Sequence, residues 1–212
     1  MSVLTEMSEM LQKGKSAETA ALVQKALDEG MTPQDVLDNG LMPGMDVIGE
    51  RFKNNDIFIP EVLIAARAMG AGTDVLRPLL SASDAADRGT VVIGTIKDDL
   101  HDIGKNLVAM MMESKGLKVI NLGNNVPPEK YIEAAIEHNA DIIACAALLT
   151  TTMVHMKDVV SLLAESPLAG KAKIMVGGAP VNQAYCDAIG ADGYAPDATM
   201  AAEKALELMK AA

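Results

Sequence analysis

At 212 residues, half of them hydrophobic, the chain can form one large domain or two small ones around a substantial core. A formal net charge of −11 argues against nucleic acid as a partner. No apolar run reaches membrane-spanning length, and the N-terminal MSVLTEMSEMLQKGK lacks the basic-then-apolar layout of a signal peptide, so a cytoplasmic location with no membrane partner is expected.

The first eighty residues read as helices only. Ser16 is placed to cap a helix running to about Glu29, and Gly30 to end it. Thr32-Pro33-Gln34-Asp35 is a helix start: a capping threonine, proline at the first position and a carboxylate in the first turn. Pro43-Gly44 is expected to interrupt, with a helix from about Met45 to Phe52 after it. Pro60 opens a long helix to about Leu80, with Val62, Ala65, Ala66 and Met69 on one face. Four or five short helices with short joints imply a small bundle over residues 1–80. Ser81–Gly89, SASDAADRG, reads as a linker.

From residue 90 to 212 the pattern changes. Strands are expected at Thr90–Ile96, Leu117–Leu122, Asp141–Ala146, Ala172–Val176 and near Asp192–Ala195. Helices are expected at Ile103–Lys115, Pro128–His138, Met153–Glu165, Asn182–Ile189 and about Asp197–Lys210. Strands that alternate with helices and are apolar on both faces predict an α/β fold with a doubly wound parallel five-stranded sheet. In such sheets ligands bind beyond the C-terminal strand ends. The loops at Lys97–Ile103, Ala147–Thr152 and Gly177–Pro180 all follow strands, so they gather at one edge. The fifteen methionines read mainly as core, and Cys145 and Cys186 are too few and too far apart for a zinc motif or a disulfide framework.

Asp99-Leu-His101-Asp102-Ile103-Gly104 sits on the first of these loops. A lone Asp-x-His on a loop is commonly a surface pair. At a strand end it allows more: one ring nitrogen of His101 can face a metal while the Asp99 carboxylate holds the other and fixes the tautomer. Gly104 lets a bulky ligand approach the backbone.

The company of this motif is specific. With Ala146–Thr152, Gly177-Gly178 and the upstream MPGMDVIGERFKNNDIFIPEVLIAARAM, it resembles the cobalamin-binding proteins that hold the corrinoid base-off with a protein histidine on cobalt. The upstream segment is similar to the helical cap of methionine synthase and of small corrinoid proteins. Leu148–Met153, LLTTTM, is especially like the carriers that serve methylamine, methanol and betaine methyltransferases. The resemblance covers nearly the whole chain and implies a helical bundle cap followed by a flavodoxin-like (Rossmann-like) domain.

It also implies roles. His101 would be the lower axial cobalt ligand, Asp99 its hydrogen-bond partner, and Thr152 the hydroxyl that completes the relay; Thr152 also suits a helix cap. Asp102, Ile103 and Gly104 would line the same loop. Ala146 stands where the family usually has serine, so a hydrogen bond to the lower nucleotide base is absent, a net loss of about 1 kcal/mol. Leu148 and Thr150 would still contact that base. Gly177 and Gly178 would leave room for the dimethylbenzimidazole tail, with Tyr194 and Asp197 bordering the slot. Phe52, Ile59, Val62 and Met69 would cover the upper face, with Ser81–Gly89 as the hinge of a cap that must move.

The implied activity is that of a corrinoid methyl carrier, a shuttle subunit rather than a complete enzyme. Its cobalt, as Co(I), would take a methyl group from a substrate-specific methyltransferase. As methyl-Co(III) it would deliver that group to a second methyltransferase acting on tetrahydrofolate or coenzyme M. A reductive activator of Co(II) would be a further partner. The alternatives are an adenosylcobalamin mutase subunit, a cobalamin-dependent sensor, and a flavodoxin-like protein with no corrinoid.

Overall fold

The computed structural model describes residues 2–79 and 88–210. The chain divides into two compact units, Met1–Asp87 with Ser114–Gly116, and Arg88–Glu113 with Leu117–Ala212. Apart from Arg88 and Gly89, the expected linker lies outside the described residues.

The first unit is helical. In α1 (Val3–Gln12) the Ser2 hydroxyl accepts from Thr5 N at 3.2 Å, and Val3, Met7 and Leu11 bury one face at helical spacing. In α2 (Ser16–Asp28) the expected Ser16 cap is displaced by one residue. Lys15 holds the cap position without a side-chain bond, because the turn through Gly14 already ties Ser16 N to Gly14 O at 3.1 Å. Gly30, with φ +89, ends α2 as expected. Thr32 caps α3 (Pro33–Val36), accepting from Asp35 N at 3.1 Å.

Pro43-Gly44 does not interrupt. A π-turn, Leu37–Leu41, carries α3 directly into α4 (Met42–Lys53). The wider turn accommodates the missing N–H and the ring of Pro43 near the start of α4, where an α-helical turn would clash. Gly44 lets α4 lie close to α1: a Cβ there would come within 3.2 Å of Ser8 O. The last helix, α5 (Ile59–Leu76), starts at Ile59 rather than Pro60, with the Glu61 carboxylate accepting from Phe58 N at 3.1 Å. Met7, Leu11, Val23, Leu41, Ile48, Val62 and Ala65 form the buried interior.

The second unit alternates strand and helix: β1 (Thr90–Thr95), α6 (Ile103–Ser114), β2 (Lys118–Asn121), α7 (Pro128–His138), β3 (Ile142–Ala146), α8 (Met156–Ala164), β4 (Lys173–Gly177), α9 (Gln183–Ile189), β5 (Gly193–Tyr194) and α10 (Ala198–Lys210). All strands are parallel, in the order β2-β1-β3-β4-β5. The order matches the flavodoxin-like, doubly wound arrangement expected. Val92, Ile96, Ile143, Cys145, Ile174 and Val176 pack with Tyr131 and Met156 on one side of the sheet. The expected helix from Met153 opens as a 3-10 turn, Met153–His155, before α8.

The strand order reverses between β1 and β3: β1 leads outward to β2, whereas the next crossover returns to β3 on its other flank. In such sheets ligands enter at this switch point, beyond the C-terminal ends of β1 and β3. No helix among the described residues is long and apolar enough to cross a membrane.

Candidate functional site

The site at these strand ends is built around Asp99, which is fully buried. Its Oδ1 accepts from His101 N at 3.1 Å and lies 2.7 Å from His101 Nδ1. Its Oδ2 accepts from Leu148 N at 2.8 Å, from Leu149 N at 3.3 Å and from Thr152 Oγ1 at 2.8 Å. Burial works against the charge, but the Leu148 N–H, the His101 ring and the Thr152 hydroxyl outweigh it. The carboxyl is held well below the usual carboxylate range.

The protonation of the histidine follows from this. An ionised carboxylate only accepts, so Nδ1 must carry the hydrogen in the 2.7 Å bond. In the neutral ring Nε2 is then the lone-pair nitrogen. The side chain is 52% exposed, and its Nδ1 is anchored to Asp99. An imidazole held at one nitrogen in this way can offer the other to a metal.

Thr152 is buried, and its hydroxyl has two acceptors, Asp99 Oδ2 at 2.8 Å and Leu149 O at 3.0 Å. It has one proton to give, and the charged oxygen is the stronger attractor. The side chain makes no capping bond to the turn that follows, so of the two expected uses the structure contains the contact with Asp99.

Around the ring the loops present apolar side chains to solvent. Leu100 is 69% exposed and Ile103 73%, and Leu148, Leu149 and Val154 are also uncovered. Nothing lies within 4 Å of a Cβ placed on Gly104. A cluster of uncovered apolar loops beside a free imidazole nitrogen and an open glycine fits a large, flat, largely apolar group with a metal at its centre.

The remaining expected residues separate into several settings. Thr150 is exposed and Ala146, Asp102 and Tyr194 are half-buried, all at the C-terminal edge of the sheet or on the loop that follows. The two glycines do different things. A Cβ on Gly177 meets only Ala195 O at 3.7 Å, which leaves room, whereas one on Gly178 would collide with the Ala147 carbonyl. Gly178 also has φ +116, so it is required by the backbone itself. Gly178→Ala is therefore expected to destabilise the fold by about 2 kcal/mol or more, read as a lower Tm, while Gly177→Ala costs little. Asp197 accepts from Met200 N at 2.8 Å and so caps α10.

In the helical unit, Phe52 is half-buried and Ile59 exposed, whereas Val62 has no exposed surface and Met69 almost none. Val62 and Met69 serve packing there. Phe58, which the sequence reading passed over, is 65% exposed. Sequence reasoning also missed Leu149, whose contribution is a backbone N–H and so leaves no mark in residue type. Leu100 carried a signal, since an apolar residue in a loop at a strand end lacks a core to join.

Comparison with known proteins finds matches along both units. Family models described as "B12 binding domain" match residues 3–77 and 89–203. A dimethylamine corrinoid protein of Methanosarcina barkeri is 42% identical over 208 residues, 98% of this chain and 97% of that protein. The methanol:cobalamin methyltransferase complex from Methanosarcina barkeri contains a chain that matches with a TM-score of 0.88 and 29% identity, covering 99% of this chain and 80% of that one. A cobalamin-binding protein from Desulfitobacterium hafniense matches with a TM-score of 0.81 and 28% identity, over 97% and 98% of the two chains. Matched along both units by sequence and by fold, the chain belongs to the B12-binding corrinoid proteins.

Proposed function

We propose that this protein is a methyl carrier: the bound corrinoid supplies a cobalt centre that takes a methyl group from one methyltransferase and releases it to another. The observation that carries the reading is the Asp99–His101 pair. It anchors Nδ1, so that in the neutral ring Nε2 is the nitrogen available to a metal.

His101 would hold the cobalt through Nε2. When that nitrogen is not ligating it could hold a proton, and the Asp99 carboxylate would stabilise the imidazolium. Thr152 keeps Oδ2 oriented and shares the negative charge. Leu100, Ile103, Leu148 and Leu149 would pack against the corrin and keep water from the ligating nitrogen. Gly177 would give the nucleotide tail its space. Tyr194 would border that tail.

The partners in this reading are a substrate-specific methyltransferase, a second methyltransferase acting on tetrahydrofolate or coenzyme M, and a reductive activator. We place the carrier in the cytoplasm; the two buried, free cysteines suit a reducing compartment. Support for a carrier over a mutase subunit or a sensor comes from the helical match at residues 3–77 and the corrinoid-protein relatives. The 42% identity to a dimethylamine corrinoid protein favours methylated amines as the donor class.

The test is methyl transfer from the reduced, corrinoid-loaded protein with methyltransferases for dimethylamine, trimethylamine and methanol. Methylation of the corrinoid with an amine enzyme is expected. Methylation only with the methanol enzyme would overturn the donor class, and none with any donor would overturn the carrier reading.

A further inference from the structure

The loop that carries Asp99 and His101 is held by residues outside the site. Asp98 has φ +64 and Asn125 has φ +52. Asp and Asn are the non-glycine residues that enter the left-handed region most readily, through local hydrogen bonds of their short polar side chains. Here the two residues meet. Asp98 N donates to Asn125 Oδ1 at 2.8 Å, and Asn125 N donates to Asp99 O at 2.9 Å.

Neighbouring bonds continue the clamp. Asn124 Nδ2 donates to Leu100 O at 3.2 Å, and Thr95 Oγ1 donates to His101 O at 2.8 Å. Four successive residues, Asp98 to His101, thus each have a backbone group tied down. Asn125 is bonded on both sides of the Asp98–Asp99 junction, through its side chain and its own N–H. Glycine would satisfy the backbone angle at position 125 without strain. The asparagine adds what glycine lacks, an acceptor for Asp98 N–H.

We infer that Asn125 is a positioning residue for the histidine. By fixing the backbone of Asp98 and Asp99, it places the carboxylate where it meets His101 Nδ1. It thereby keeps the ring in the Nδ1–H tautomer with Nε2 open. The consequence for cobalt binding rests on the carrier reading; the effect on the tautomer does not.

The experiment reads the His101 ring in the corrinoid-free, 15N-labelled protein by long-range proton–nitrogen NMR, at a pH where the ring is neutral. Wild type is expected in the Nδ1–H form. Asn125→Gly keeps the backbone freedom and removes Oδ1, and should shift most of the ring to the Nε2–H form. Asn125→Asp keeps an acceptor and should retain the wild-type tautomer. Corrinoid affinity should fall about ten-fold in the glycine variant, the low end for losing an outer partner of a metal ligand. An unchanged tautomer in Asn125→Gly overturns the inference even if its Tm drops, because a merely structural role would do only that. Loss of the tautomer in both variants also overturns it. If the glycine variant loses the tautomer but wild type binds corrinoid without His101 on cobalt, the positioning role stands and the assignment of His101 as cobalt ligand fails.

Discussion

His101→Ala is expected to abolish axial ligation by the protein while leaving the fold nearly intact. The ring is half exposed and buries little apolar surface, so its removal opens no core cavity. The stability cost should be about 1 kcal/mol, for the lost bond to Asp99. The loss for the corrinoid is larger. Outer partners of a metal ligand are worth roughly 10–100-fold in affinity or activity, and removing the ligand itself should exceed that range. The visible spectrum of the loaded variant should lack a protein nitrogen on cobalt. Added imidazole should restore it, because the variant leaves a gap of that shape beside an intact carboxylate. An unchanged spectrum in His101→Ala would show that the nitrogen comes from elsewhere.

Asp99→Ala should act on the fold as well as the site. The carboxylate is the common acceptor for Leu148 N, Leu149 N, Thr152 Oγ1, His101 N and His101 Nδ1. Alanine strands these donors, of which Thr152 is buried and the others part-buried, a loss of roughly 3 kcal/mol for several bonds to one charged acceptor. That is a large part of the about 5–15 kcal/mol that holds a typical domain together. Denaturant unfolding should show it as a lower midpoint with an unchanged slope.

Asp99→Asn is milder and more specific. With its oxygen toward Leu148 N and Thr152, the amide must turn its N–H groups toward His101 Nδ1. The ring then has to accept there and carry its proton on Nε2, where the metal should bind. Weaker ligation is expected with a modest loss of stability. The acid limb should also change. Asp99 is depressed in the folded state, so its contribution is complete above about pH 4, the unfolded carboxylate value, and is lost as pH falls further. The asparagine variant should lose less stability over that interval than wild type. Parallel acid limbs would show that Asp99 is not held as a carboxylate.

The central strands β1, β3 and β4 were legible because they are largely buried on both faces. The expected Thr90–Ile96 and Asp141–Ala146 differ from the observed β1 and β3 by one residue each. Pro128 marked the start of its helix to the residue, since proline at a first turn forfeits nothing. Pro43 misled for the same reason in reverse: as a breaker it signals an end, but a π-turn before it let the chain continue. Val62 and Met69 shared an apolar stripe with core residues, and periodicity alone does not say which part of a stripe stays uncovered.

The site divides along similar lines. Asp99, His101 and Thr152 were readable because side-chain chemistry names them. Leu148 and Leu149 contribute backbone N–H groups, which any residue type supplies. Asn125 lies in another loop, and only the pairing of β1 with β2 brings it to Asp98. Long-range register of that kind is not written in any local pattern.

The central claim is that His101 Nε2 is the nitrogen on cobalt. It is tested most directly by electron paramagnetic resonance of the Co(II) form, loaded into protein whose histidines carry 15N only at Nε2. The expected result is that the nitrogen splitting of the axial ligand changes from the triplet of 14N to the doublet of 15N. A triplet that survives the labelling, or a spectrum with no nitrogen splitting, would contradict it.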